Sequence, residues 1–467
     1  MNTQKILTTV GDIADQLSLK VYAVGGFVRD QILKHHVKDI DFVVVGDGPR
    51  FAKVVAEEFG SDHVVIFEKF QTAMVQFNEY RLEFVSARSE SYTDDSRKPS
   101  VEQADLLTDL SRRDFTINTI ALGLNKDNFG EIIDPFDGRG DLQRKIIRTP
   151  LDPLITFKDD PLRIMRAIRF ASKLKFDIDP IVFEALKSMV PRLSIISQER
   201  ITDEVLKILM TDKPSVGLYL LDEAEILPLI LPEISALKGV EEMDGYLHKD
   251  VFDHTLKVVD NIARVTDKVE LRLVALMHDI AKPVTKRFIK DLGWTFHGHD
   301  EIGARMIEPI FRRLKLPKTI SKYTENLVRL HLRPINLSDE DVTDSAIRRL
   351  AVQAGEYLED LLILCRADIT SGNADRVRKH RSKFDYVASR TIEVEEKDKL
   401  RSFQSPVRGD EIMKICEISA GPLVGIFKRM IEDAILDNQI ENDYAAARDF
   451  LISIKDQVLV VNKHLLE

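Results

Sequence analysis

Asp39 and Asp41 stand one residue apart at the head of the apolar run Phe42-Val43-Val44-Val45, shortly after Val24-Gly25-Gly26-Phe27-Val28-Arg29-Asp30. A strand alternates its side chains, so both carboxylates point to one face. Two carboxylates beside a glycine pair, where backbone approaches phosphate closely, suit a divalent cation carrying a nucleoside triphosphate. Mg²⁺ takes oxygen ligands and keeps several waters, so two or three carboxylates plus substrate oxygens are enough. The plain alternative is an acidic turn closing a strand. The glycine pair and the flanking Val/Phe run weigh against it. Leu82 to Ser86 also alternates, which lets Glu83 share the face of the Asp pair.

Arg112-Arg113-Asp114-Phe115-Thr116-Ile117-Asn118 adds a second signal. Adjacent arginines hold triphosphate oxygens through charge-assisted bonds. Asp114 and Asn118, four residues apart, can reach a ribose from one helix face. The alternative is a helix start with Asp114 in its first turn. The third signal is Asp159-Asp160-Pro161-Leu162-Arg163-Ile164-Met165-Arg166. Pro161 suits a first helical position with Asp160 as N-cap, a role compatible with chemistry. Asp160 and Arg163 project together and set an acceptor beside a donor. Cytosine and adenine present the complementary amino donor next to a ring-nitrogen acceptor. Uracil and guanine reverse that order and leave buried polar groups mismatched, so the pair selects CTP and ATP.

The fourth signal gathers His248, His254, His278-Asp279, His299, His331 and Asp368. Any one of these alone reads as a satisfied core residue. Together they form an imidazole and carboxylate set suited to a transition metal such as Mn²⁺, Fe²⁺, Ni²⁺ or Co²⁺. His278 and Asp279 fall in an apolar helical pattern, where an unpaired carboxylate is costly without a metal or partner.

These residues need two kinds of scaffold. Short β-type runs at Lys20–Val24, 40–45, 63–67, 72–77 and 80–85 alternate with helical stretches, which reads as a mixed sheet with flanking helices. From Pro161 the pattern is almost wholly helical, including 162–174, 181–189 and 197–210. Arg88 to Gln103 is polar and reads as a mobile loop. At 467 residues the chain exceeds a single core and divides into domains. The expected boundaries are 1–147, 148–245, 246–373 and 374–467. A formal charge of -10 argues against a surface basic all over, though not against a local basic strip. Cys365 and Cys416 fall in apolar helical patterns, expected to be core. So few thiols make no disulfide framework and fit a reducing, cytoplasmic setting. The N-terminus lacks the pattern of a signal peptide, and no apolar run approaches the ~18 residues that span a membrane.

By its motifs the chain resembles the class II tRNA nucleotidyltransferases, the CCA-adding enzymes and bacterial poly(A) polymerases of the polymerase β-like superfamily. The matching motifs run in order: Gly25-Gly26…Arg29-Asp30 with Asp39-Ile40-Asp41; Arg112-Arg113-Asp114…Asn118; Asp134-Pro135-Phe136-Asp137-Gly138…Asp141-Leu142; Asp160-Pro-Leu-Arg163; Ser197-Gln198-Glu199-Arg200-Ile201…Glu204. The resemblance implies an α+β fold: a mixed-sheet nucleotidyltransferase head, then an all-helical neck, body and tail. Asp39 and Asp41 would bind the catalytic Mg²⁺ ions, with Glu83 as the accompanying carboxylate. Gly25, Gly26, Arg29, Arg112, Asp114, Asn118 and Arg166 would bind the nucleotide. Asp160 and Arg163 would read the base, and Arg200 would buttress their helix. Asp159 departs from the family's usual Glu and puts any bracing role there in doubt.

The His…His-Asp…Asp order resembles the HD metal-dependent phosphohydrolase domain, with ligands His254, His278, Asp279 and Asp368 and second-site candidates His299 and His331. The implied activity is template-independent addition or repair of the tRNA 3′ CCA, with an HD phosphohydrolase activity beside it. The partner is tRNA, through its acceptor stem and 3′ end, with no membrane and no obligate protein partner. The rivals are a poly(A) polymerase, a CC-only enzyme of the same family, and an HD phosphohydrolase whose N-terminal domain merely grips RNA.

Overall fold

The computed structural model describes residues 2–462 except 36, 94–95, 240, 244–245, 249, 338–342, 371–373, 399–404 and 438. The side chains of 69, 90–101, 241–248, 374, 376 and 395–398 lie outside that description as well. Contacts divide the chain into two compact units, Met1–Ala236 and Leu237–Glu467.

The first unit is built on a seven-stranded sheet whose strands are β1 (Lys20–Val24), β2 (Asp39–Val45), β3 (Val64–Phe67), β4 (Thr72–Phe77), β5 (Tyr80–Ser86), β8 (Ala121–Gly123) and β9 (Ile132–Ile133). Their order across the sheet is β3-β4-β5-β2-β1-β8-β9. Only β2 and β5 run parallel, and their register sets Asp41 opposite Glu83. Five sequence-read strands therefore appear within a residue or so of their expected bounds. Alternation explains why. Ile40, Phe42 and Val44 of β2, with Leu82 and Phe84 of β5, are fully buried, and Phe42 stacks on Phe84 at 4.7 Å. Asp39, Asp41 and Glu83 fall on the opposite face. Farther along that face Val43 is covered by Leu110, from the helix Leu106–Ser111. The sheet is thus closed by a helix at one end and left open at its acidic end.

Two sequence readings change here. Arg88 to Gln103, expected to be a mobile loop, forms a hairpin of β6 (Arg88–Thr93) and β7 (Ser96–Gln103), paired Arg88↔Gln103 through Thr93↔Ser96. Residues 94–95 lie outside the described residues. Backbone pairing needs no apolar side chains, so polarity alone was a poor guide. Arg112 to Asn118 is likewise not one helix face. Arg112 caps the helix Leu106–Ser111, and Thr116–Asn118 is a separate 3-10 turn.

That turn is held from behind by the Asp134…Asp141 motif. Asp134 accepts the N–H groups of Gly138 and Arg139, and buried Asp141 accepts the Thr116 hydroxyl at 2.7 Å. A Cβ at Gly138 would stand 2.2 Å from the Thr116 carbonyl, so glycine is required there. The helices Leu162–Leu174 and Gln198–Leu209 then pack together, joined by Arg169 Nε to buried Glu204 at 2.6 Å.

The second unit is mainly helical, with short hairpins at Glu241–His248 and Arg287–Thr295. Its last three helices, Gly409–Cys416, Pro422–Leu436 and Tyr444–Val461, close over Ile412, Cys416, Phe427, Ile431 and Leu451. Both cysteines are buried, as their patterns implied. Among the described residues no helix is long and apolar enough to cross a membrane.

Candidate active site and candidate metal centre

Strand β1 ends at Val24, the register partner of Asp41. Gly25 then takes φ +68, a conformation side chains resist, and turns the chain into the short helix Gly26–Ile32. A Cβ on Gly25 would meet Arg113 Nη1 at 3.1 Å and Asp41 Oδ2 at 3.6 Å. The glycine is therefore a spacer between an arginine and a carboxylate. Asp39, Asp41 and Glu83 line a cleft of about 820 Å³, and so do the arginines of the Arg112 segment and of the helix Leu162–Leu174.

The electrostatics divide this cleft in two. Burial pushes the Asp41 carboxyl up to about 6, and Glu83 and Asp39 add to the rise against the pull of Arg113. Three carboxylates crowded on adjacent strands are poorly compensated by protein, as expected of a place made for a cation. The opposite wall is saturated. Burial disfavours the Asp114 carboxylate, yet Arg166 and Asn118 outweigh burial and hold it well below the usual range. Arg166 donates to Asp114 Oδ2 through Nε at 2.9 Å and Nη2 at 2.5 Å. Asn118 donates to Asp114 Oδ1 at 2.9 Å and accepts from Arg29 Nη1 at 2.7 Å. Arg112 and Arg113 both rest on buried Asp109, Arg113 at 3.0 Å.

Asp160 combines two tasks. Its Oδ1 accepts the Leu162 N–H at 3.1 Å, and its Oδ2 lies 3.5 Å from Arg200. Arg163, three residues on, donates to the carbonyls of Arg112 at 2.7 Å and Thr156 at 3.2 Å. All thirteen nucleotide and catalytic candidates line this one cleft. Sequence reasoning passed over Arg88, Arg169, Lys173 and Phe70, which line it too. Arg169 and Lys173 continue the spacing of Arg166 along one helix face, a readable signal. Phe70 carried none, since its 3-10 turn was not foreseen.

In the second unit the ligand candidates cluster at helix ends. His254 is in the first turns of Val251–Ala263, and His299 opens His299–Arg313. His278 and His331 cap Val269–Met277 and Lys318–Leu330, and Asp368 closes Leu358–Asp368. His278 and Asp279 thus stand just past a helix rather than within it. The Nδ1 atoms of His278, His299 and His331 lie 2.6 to 2.8 Å from the carbonyls of Ala275, Phe296 and Val328. A carbonyl only accepts, so each Nδ1 carries a proton, and in the neutral ring Nε2 is left as the ligand atom. His254 Nδ1 meets Thr370 Oγ1 at 2.8 Å, and its Nε2 is 2.9 Å from Asp368 Oδ1. Burial disfavours charge on His278, but Asp279 and Asp368 override it and push the imidazole up to about 10. The two carboxylates demand positive charge, supplied by a proton or by a metal. The donor set fits a transition metal. Lys282, not singled out in the sequence, reaches Asp279 Oδ2 at 2.5 Å. The side chain of His248 lies outside the described residues.

An acidic trio on neighbouring parallel strands, facing a wall of anchored arginines, defines a nucleotidyltransferase head. Residues 21–148 match the poly A polymerase head domain family, 175–238 the probable RNA and SrmB-binding site of polymerase A, and 251–373 the HD domain. The multifunctional CCA protein of Psychromonas ingrahamii is 31% identical over 381 residues, 79% of this chain and 89% of that protein. An A-adding tRNA nucleotidyltransferase of Geobacter sulfurreducens is 38% identical over 271 residues, 56% of this chain but 28% of that protein. A solved tRNA nucleotidyltransferase in complex with a primer tRNA and an incoming ATP analogue superposes with a TM-score of 0.60 at 25% identity, covering 83% of this chain and 99% of that one. The chain belongs to the class II CCA-adding tRNA nucleotidyltransferase family and carries an HD domain.

Proposed function

We infer that the protein builds and repairs the 3′-terminal CCA of tRNA from CTP and ATP without a nucleic-acid template. The observation that carries this is the single cleft in which the Asp39, Asp41 and Glu83 carboxylates share walls with Asp160 and Arg163. The carboxylates would hold Mg²⁺, which when bound orients the tRNA 3′-hydroxyl and α-phosphate and stabilises the leaving pyrophosphate. Arg112 and Arg113, fixed by Asp109, face the triphosphate. Asp114 acts through Arg166 and Asn118, because its own oxygens are already engaged. Asp160 and Arg163 read the Watson–Crick edge from a frame braced by Arg200, the Arg112 carbonyl and the Thr156 carbonyl. Incubating the protein with tRNA lacking its 3′ end, and with each NTP alone, tests the reading. CMP addition followed by AMP is the expected result. AMP alone would make it an A-adding enzyme, a real alternative given the Geobacter relative, and long AMP runs would make it a poly(A) polymerase.

A second activity is supported by the imidazole cluster. The HD domain hydrolyses a phosphoester, such as a 2′,3′-cyclic phosphate at a damaged RNA end, which would prepare that end for the head. Its ligands are His254, His278, Asp279 and Asp368. Metal analysis before and after His278→Ala checks it. Absence of both bound transition metal and chelator-sensitive phosphodiesterase activity would leave this domain a helical scaffold.

A further inference from the structure

The face of the head sheet that bears the carboxylates continues past them to the edge of the sheet. Residues directly opposite one another in register share a face. Glu83 of β5 stands opposite Met74 of β4, and Met74 opposite Val65 of β3. Two residues along, Val85 stands opposite Thr72, and Thr72 opposite Phe67. Val65 and Phe67 therefore lie on the same side as Asp39, Asp41 and Glu83, out on the edge strand. Phe70, in the 3-10 turn between β3 and β4, lines the cleft itself. All three are open to solvent, Val65 and Phe67 at 45% and Phe70 at 52%.

Folding does not call for this apolar apron. The core lies on the opposite face of the same strands, where Ala73, Val75, Leu82 and Phe84 are fully buried and Phe51 meets Phe84 edge-on at 5.6 Å. β3 is an edge strand, and an apolar face exposed beside a free edge invites pairing with other chains. The turn that carries Phe70 is fixed through its main chain. The Phe70 carbonyl accepts from Thr72 Oγ1 at 3.1 Å and from Arg88 Nη1 at 2.6 Å, while half of the ring faces solvent. Val65, Phe67 and Phe70 carry no side-chain hydrogen-bonding group, so they cannot read the edge of a base. They offer flat apolar contact and nothing else.

We propose that Phe67 and Phe70 form a stacking platform for the unpaired 3′-terminal bases of the RNA that receives nucleotides. The proposal rests on the reading of the head cleft as the site of addition and states where the acceptor strand lies. That strand must end with its 3′-hydroxyl at Asp39, Asp41 and Glu83, and the apron runs up to Glu83 in register. Stacking on a phenyl ring accepts any base, because every base has a π-face. The acceptor side needs that tolerance, since its terminal base changes with each addition. The incoming base must be chosen, and a separate pair of side chains, Asp160 and Arg163, reads its edge. A second copy of the chain docked on β3 is the competing occupant. It does not account for the continuity of the apron with the carboxylates.

The test is a cycle between protein and RNA. The full chain, its Phe67→Ala/Phe70→Ala variant and its Phe67→Tyr/Phe70→Tyr variant add CMP to a tRNA ending after its first added C. The same RNA with its last two nucleotides abasic is the second substrate. The alanine pair should raise KM for the normal RNA about tenfold and leave KM for CTP within about twofold, and the tyrosine pair should restore the first value. On the abasic RNA the unsubstituted chain should lose about the same tenfold, and the alanine pair should lose nothing further. An unchanged KM for the normal RNA, or an equal effect of the alanine pair on both RNAs, overturns the platform. A dimer that the alanine pair splits, with KM for RNA unchanged, overturns it in favour of a second copy. Failure of the unsubstituted chain to add CMP overturns the reading of the cleft and the platform with it. The loss on abasic RNA is read on the unsubstituted chain, so a variant that fails to fold does not spoil the test.

Discussion

At the scale of the residue, Asp41 is the most sharply tested position. Its folded pKa, about 6, stands above the ordinary 3.8, so the protonated form is favoured in the native state. Stability of the metal-free protein therefore falls as pH rises from about 4 to 6, by on the order of 3 kcal/mol. A divalent ion binds the ionised form and returns that loss. The thermal shift given by Mg²⁺ should accordingly be small at pH 5 and several degrees at pH 7.5. Asp41→Asn should abolish both the pH slope and the shift, along with at least a thousandfold of nucleotide addition. Scanning fluorimetry across pH checks the first two, and an equal Mg²⁺ response in Asp41→Asn would remove Asp41 from the metal site. Asp160 and Arg163 make a different prediction. Arg163→Ala should flatten discrimination among the four NTPs. Asp160→Asn keeps an oxygen for the Leu162 N–H but puts a donor where Oδ2 was, so UTP and GTP should gain at least tenfold relative to CTP. Uniform loss in competition assays would mean that Asp160 only caps its helix.

At the scale of the element, the β6–β7 hairpin is the part most open to change. It is tied to the cleft by Arg88, whose carbonyl accepts from Arg112 Nε at 3.0 Å and whose Nη1 donates to the Phe70 carbonyl at 2.6 Å. A pocket that must accept C and then A needs a part that moves. Removing Ser91–Ser100 while keeping Arg88 should leave CMP addition within about threefold and lower AMP addition at least tenfold. Equal loss of both steps in single-nucleotide assays would make the hairpin structural. This is also where sequence reading stopped short. The strands β1, β2, β4 and β5 were legible because one face is buried, which writes alternation into residue type. The hairpin carries no such imprint, since its ladder is made by backbone. The helix-face reading of Asp114 and Asn118 failed for a related reason. Their hydrogen bond is real, but a 3-10 turn closes it, and four-residue spacing does not distinguish the two geometries. The metal cluster was legible as a list of residues. Its division into the triads His254/His278/Asp368 and Asp279/His299/His331 depends on which way Asp279 turns its oxygens, which no spacing encodes.

At the scale of the whole molecule, the two compact units each carry one of the candidate sites. Among the described residues the head cleft is lined by the first unit and the imidazole cluster is made by the second. The activities should separate cleanly. His278→Ala should remove metal-dependent phosphoester hydrolysis and leave the rate of CMP addition within about twofold, whereas Asp41→Ala should do the reverse. Assaying both reactions on both variants checks this. Loss of both activities in either variant would show that the units are coupled in catalysis.

The doubled duty of Asp160 has a bearing on heredity. A template-free enzyme stores its message in side chains, so a drifting side chain rewrites every molecule it processes. Here the carboxylate proposed to read the base also accepts the Leu162 N–H at the start of the helix that carries Arg163, Arg166 and Arg169. Most replacements at this position cost the helix its cap, about 1 kcal/mol, and so damage the protein before they can change its message. Asparagine, serine and threonine pass that filter, keeping the cap while removing the carboxylate. If Asp160 reads the base as proposed, the spelling of the tRNA end is guarded by the same bond that starts its reader's helix, against every replacement but the few that also cap.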